Sequence, residues 1–259
     1  MIIVKNFLPS FCYQAFHQPR KIQYLILHHI ASDSVEKAMA MLVQHQVSAH
    51  FLIDFAGNIL QLVAENDLAY HAGNSYWQKQ DGLNINSIGI EFLNPQPEFL
   101  PFTSQQLQAG LGLLQYLSKK YHISPCNILG HSDIAYFNDS QLLNRKQDPS
   151  ILFDWQFLAK NGVGFFPKIN CQEDFIQFSF GDCHQNISQI KQKLHFFGYK
   201  VLEFSGQFNL HMQQLTIVFN RHFNNIFSKE NQHYQHWLNS SSLALEQILN
   251  NKQNQYYLN

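Results

Sequence analysis

The chain has 259 residues and a mass of 30.2 kDa, room for one large domain or two modest ones. Its 17 Lys and Arg stand against 18 Asp and Glu, with no block of like charge, which excludes the clustered basic surface that nucleic-acid binding needs. Apolar residues make up 45%, a normal globular share, yet no run approaches the ~18 consecutive apolar residues of a membrane span. Charged residues are only 14%, so Asn and Gln supply much of the surface polarity. The N-terminus, Met1-Ile-Ile-Val-Lys-Asn, lacks the charged, apolar and small-residue sections of a standard secretory signal. Cytoplasmic residence is the expectation on that ground. Cys12, Cys126, Cys171 and Cys183 are scattered without a Cys-x-x-Cys pair. They read as buried thiols, with a Cys171–Cys183 disulfide open to an oxidising compartment.

Strand-like and helix-like segments alternate through the first two-thirds. Lys21–Leu27 is rich in β-formers and ends at His28-His29. Asp33-Ser-Val-Glu36 has capping-box spacing and opens a helix over 35–43. His50–Ile53 and Ile59–Val63 flank Phe55-Ala-Gly-Asn, which predicts a hairpin. Ser87–Phe92 is a further strand. Thr103-Ser-Gln-Gln106 is a second capping box, starting a long amphipathic helix that finishes near Lys119-Lys120, favourable for its dipole. Asn127–Gly130 predicts a short strand and Asp154–Lys160 a closing helix. Interleaved strands and helices indicate an α/β layer. The division expected is a first domain over 1–167, a linker over 168–182 and a helical module over 183–259, with helices over 187–197, 212–223 and 241–249.

The chemistry-bearing residues stand at strand ends. His28 closes one apolar strand and His131 another. Glu91 interrupts the apolar run Ile88-Gly-Ile-Glu-Phe, where a carboxylate is costly without a partner or a task. Lys146 and Asp148 flank Gln147 and, on extended backbone, point the same way. Two imidazoles and one carboxylate from separate elements suit zinc with a fourth position open to water. A second carboxylate then moves the proton and a cation steadies the oxyanion, jobs that fit Glu91 and Lys146. With 14 His in the chain, spacing alone leaves other groupings open, and no His-Glu-x-x-His metalloprotease signature is present.

Six segments occur in one family's order: Leu27-His28-His29-Ile-Ala, Val47-Ser-Ala-His50-Phe-Leu-Ile, Tyr70-His71-Ala-Gly73, Asn86-Ser-Ile-Gly-Ile-Glu91, Gly130-His131-Ser-Asp-Ile-Ala135 and Arg145-Lys146-Gln-Asp148-Pro149. Over about residues 20–167 the chain resembles the zinc-dependent N-acetylmuramoyl-L-alanine amidases of the type 2 family, relatives of phage T7 lysozyme and peptidoglycan recognition proteins. The resemblance implies a mixed β-sheet flanked by helices. It implies one Zn²⁺ per chain on His28, His131 and Asp148, with Glu91 as catalytic base and Lys146 beside it. It also implies peptidoglycan or a muropeptide as substrate. His50, His71, Asn74 and Trp77 are the substrate-contacting candidates, although His50 also reads as a buried structural residue and Trp77 as packing. The tail resembles a peptidoglycan-binding helical module through Phe197-Gly-Tyr-Lys-Val and Val218-Phe-Asn-Arg-His-Phe223. That layout is similar to the AmiD-like subgroup and would place the substrate in the cell envelope, against the missing signal. Departures lie at Tyr136 and Ser150-Ile151, where the family often has proline or glycine. The rival readings are a non-catalytic peptidoglycan-binding protein on the same fold and a zinc peptidase acting on stem peptides.

Overall fold

The computed structural model describes residues 2–136, 145–171, 173–224 and 232–256. They form two compact units that are not contiguous in sequence. The first comprises Met1–Ser75, Gly82–His131 and Asp148–Phe165, and the second Tyr76–Asp81, Ser132–Gln147 and Phe166–Asn259. The chain therefore departs from the single cut expected near residue 167, because Tyr76–Asp81 and Ser132–Gln147 of the expected first domain group with the tail.

The first unit is built on one sheet. Its strands are β1 (Ile3–Lys5), β2 (Tyr24–Ile30), β3 (Phe51–Ile53), β4 (Ile59–Gln61), β5 (Ser87–Leu93) and β6 (Ile128–Gly130), in the order β1-β4-β3-β5-β2-β6. β3 and β4 pair antiparallel through the expected hairpin, and every other neighbouring pair is parallel. Gly57 turns that hairpin at φ 82°, and a Cβ there would lie 2.7 Å from the Gln105 carbonyl oxygen. Only glycine meets both conditions.

All seven residues of β5 are buried, as are all but His29 of β2. Parallel strands covered on both faces read this way, as nearly continuous apolar runs. On one face Ile30, Leu52 and Leu93 share a core with Ala38 and Leu42 of α1 (Val35–Gln44). On the other, α2 (Ser104–Tyr121) approaches so closely that a Cβ on Gly110 would stand 2.7 Å from the Phe92 ring. Phe92 and Leu93 are neighbours on a strand and so project to opposite faces. The α2 capping box forms as expected: Gln106 N donates to Thr103 Oγ1, and Thr103 N donates to Gln106 Oε1, both at 3.1 Å. At α1 the cap is Ser34, which accepts from Lys37 N, while Asp33 pairs with the Lys37 ammonium at 2.8 Å. The helix begins at Val35 as expected, but its cap is Ser34, one residue beyond Asp33, whose carboxylate pairs with a cation instead of an amide. α3 (Trp155–Lys160) is capped by Asp154.

The second unit holds β7 (Ile176–Phe178), α4 (Gln185–Phe197), α5 (Leu210–Phe223), β8 (Trp237–Leu238) and α6 (Asn239–Tyr256). The stretch expected to be a linker is not one, since β7 pairs antiparallel with β8. The aromatic rings of Trp77, Phe197 and Tyr199 meet edge to face or tilted, with centroids 4.8–5.9 Å apart. Asp133 is completely buried there; it accepts from Tyr199 Oη at 2.8 Å and lies 2.7 Å from His222 Nδ1. All four cysteines are free; Cys12 and Cys126 are buried as expected, whereas Cys171 is half-buried and Cys183 exposed. Among the described residues no helix is long and apolar enough to cross a membrane.

Candidate metal centre

β2 and β5 run parallel in a register that sets His28 directly beside Glu91. Paired residues of neighbouring strands point to the same face, so the imidazole and the carboxylate share it. Alternation puts Ser87 and Gly89 on that face as well, and sends His29 to the other. β6, on the far side of β2, ends at Gly130 and delivers His131 into a short helix, His131–Ala135. Asp148 arrives from the loop ahead of Pro149.

Three side chains converge. His28 Nδ1 lies 3.0 Å from His131 Nδ1 and 3.0 Å from Asp148 Oδ2, and His131 Nδ1 lies 2.9 Å from the same oxygen. All three residues are buried. Among the described residues this is the cluster of His, Cys, Asp and Glu that could hold a metal ion.

The hydrogen bonding tests whether a metal fits. His131 Nε2 stands 3.2 Å from the Ala72 carbonyl oxygen, which can only accept, so Nε2 carries a proton, and in the neutral imidazole that leaves Nδ1 a bare lone pair. That lone pair faces a carboxylate oxygen, and two acceptors this close call for a cation between them. Two imidazole nitrogens and one carboxylate oxygen also make up a three-ligand set suited to catalytic zinc. The donor set fits.

The remaining expected site residues divide. Lys146, two residues before Asp148, is half-buried, and Asn74 is exposed on the loop after Gly73. His50 is fully buried, which corrects its assignment as a substrate contact. Its Nδ1 accepts from Gly89 N at 3.0 Å, and its Nε2 lies 3.1 Å from Asp67 O and 3.0 Å from Arg20 Nη1. Burial and the Arg20 charge push its pKa down to about 3, so it is a neutral structural imidazole. Trp77 also has no exposed surface, and its packing on Phe197 and Tyr199 replaces the groove-lining role expected of it. His71 is buried too; its Nδ1 is 3.1 Å from His28 Nε2, behind the ligand and not in a groove. Burial and the surrounding imidazoles hold its pKa well below the usual histidine value.

Sequence reasoning missed Arg20. Its guanidinium donates to the carbonyls of Glu65, Asp67, Asn84, Ile85 and Ser87, tying the loops around β5 together from within. Nothing in the local sequence signals this, because the acceptors gather only in the folded backbone.

A family model described as N-acetylmuramoyl-L-alanine amidase matches residues 18–151, just over half of the chain. The chain belongs to that family. The match contains all three converging residues and Glu91. Among curated relatives, the N-acetylmuramoyl-L-alanine amidase AmiD of Escherichia coli is 38% identical over 161 residues, covering 57% of this chain and 55% of that protein. The 1,6-anhydro-N-acetylmuramyl-L-alanine amidase AmpD of Haemophilus influenzae is 32% identical over 158 residues, 53% of this chain and 81% of that one. The match thus spans about half the length of AmiD. A solved structure of E. coli AmiD, in complex with the substrate anhydro-N-acetylmuramic acid-L-Ala-D-gamma-Glu-L-Lys, superposes with a TM-score of 0.73 at 28% identity, covering 92% of each chain.

Proposed function

We propose that this chain is a zinc-dependent amidase that hydrolyses the bond between N-acetylmuramic acid, or its anhydro form, and L-alanine in peptidoglycan or muropeptides. The observation that carries the reading is the convergence of His28, His131 and Asp148 on one point, with Glu91 in register beside His28. The names of the relatives supply the substrate class.

His28, His131 and Asp148 would hold one zinc ion. Bound there, zinc supplies a water of lowered pKa and polarises the scissile carbonyl. Glu91, held on a rigid central strand, takes the proton from the attacking water and later delivers it to the amine of the departing L-alanine. Lys146 donates to the oxygen that becomes anionic as the carbonyl carbon turns tetrahedral. Asn74, exposed beside the segment that backs the ligands, contacts the substrate. A buried carboxylate at position 91, in register beside a ligand imidazole, favours turnover over mere recognition.

The test is digestion of intact sacculi beside soluble anhydro-muropeptides, with mass analysis of the products. An amidase frees the whole stem peptide from the sugar; fragments cut within the stem would establish a peptidase instead. Chelator should abolish the activity and added zinc restore it, and full activity in metal-free protein would overturn the mechanism.

A further inference from the structure

We propose that His71 and Ser87 are positioning residues that fix the tautomer of His28, so that its Nδ1 presents a lone pair at the metal position. The proposal rests on the metal centre described above. Leu83 O sets the direction of the chain: it can only accept, and it lies 2.6 Å from Ser87 Oγ. The Ser87 hydroxyl proton therefore points at it, leaving the lone pairs of Oγ for His71 Nε2 at 3.1 Å. His71 must then carry its proton on Nε2. A neutral imidazole has one N–H, so His71 Nδ1 accepts, and its partner at 3.1 Å is His28 Nε2. His28 thus donates from Nε2, and Nδ1 is left bare, facing His131 and Asp148.

The neighbouring residue does the same for the second imidazole, since Ala72 O accepts from His131 Nε2. Residues 71 and 72 together orient both imidazoles, one through a side chain and one through a carbonyl. Asn84 Oδ1 holds this pair by accepting from both of their backbone amides, at 3.1 and 2.7 Å. β5 leaves room for the ring: a Cβ on Gly89 would lie 2.5 Å from His71 Cγ. Outer partners of this kind determine which nitrogen of a ligand is free, and how firmly it is aimed.

The first measurement uses zinc-loaded, full-length wild-type protein. Nitrogen-15 chemical shifts of His28 should show Nδ1 on the metal and the proton on Nε2; metal on Nε2 with the proton on Nδ1 overturns the proposal and requires no variant to fold. The second compares His71→Phe, which keeps a ring and removes both nitrogens, with Ser87→Ala, which removes only the anchor. Each folded variant should bind zinc about 10–100-fold more weakly in competition with a chromophoric chelator. Because the two act in series, the double variant should lose no more than His71→Phe alone. Folded variants that hold zinc as tightly as wild type overturn the proposal. Wild-type protein that takes up no zinc overturns the metal centre itself, whatever the shifts of His28 show.

Discussion

Glu91 and Asp148 are both buried carboxylates, and what surrounds each assigns it different work. Asp148 has one oxygen within 3.0 Å of two imidazole nitrogens, which suits it to the proposed metal position. Asp148→Ala should cost zinc along with rate, seen by metal analysis of the purified variant. Glu91 is set by its strand beside one of those imidazoles, and Glu91→Ala should keep zinc while losing about 10²–10⁴ in kcat. A variant retaining more than half of the wild-type rate would remove Glu91 from the mechanism. That His28, His131 and Asp148 would meet, with Glu91 near them, was legible because each lies in a motif whose neighbours announce it. Ser87 sat unread inside one of those motifs, although counting by twos back from Glu91 places it on the same face. His50 and Trp77 were legible only as pairs of alternatives, substrate contact or buried packing, and their burial favours the second. Residue type does not say which way a loop folds, and both turn inward.

The join between β5 and α2 shows how one side chain fixes two elements. Gln106 closes the capping box with its oxygen and donates from its Nε2 to the Leu93 carbonyl at 2.7 Å, at the end of the strand that carries Glu91. Gln106→Ala would remove these bonds, with a longer one to the Ile53 carbonyl at 3.4 Å, and leave the buried Leu93 carbonyl without that donor. A loss of about 1–3 kcal/mol is expected, read as a lower denaturation midpoint with an unchanged m-value. The capping box itself was plain in the sequence, because it needs only residues three apart. The second bond was not, since Leu93 and Gln106 meet only once the helix has crossed back over the sheet. The same limit explains β7: three residues of a presumed linker become a strand because Trp237–Leu238 is there to pair with them.

At the scale of the molecule, the helical unit has electrostatics of its own. Lys191 is completely buried and is neutralised by Glu203, with Gln207 O accepting at 2.8 Å. Burial alone would raise Glu203, but the bond from Lys191 outweighs it and its pKa is lowered to about 2. A carboxylate depressed on folding contributes stability above its unfolded pKa and loses it as pH falls through the folded one. Glu203→Gln should therefore unfold at lower temperature than wild type at pH 7, with the deficit closing between about pH 4.5 and 2. A constant difference across that range would disconnect the pair from acid stability. Ending the chain at Pro167 is expected to give insoluble protein, checked by its partition into inclusion bodies, because Trp77 would lose both Phe197 and Tyr199. A helical tail was legible from its periodicity, whereas its claim on residues 76–81 was not, since no local pattern marks a partner so distant in sequence. That claim has a consequence in time. The ribosome releases Trp77 about 120 residues before Tyr199, an interval of roughly 6–25 s at ordinary elongation rates. Throughout it the nascent chain carries a large indole with no ring to cover it. Synthesis of this protein thus contains a built-in waiting period, during which holdase chaperones or slow codons near the middle of the message would decide the yield.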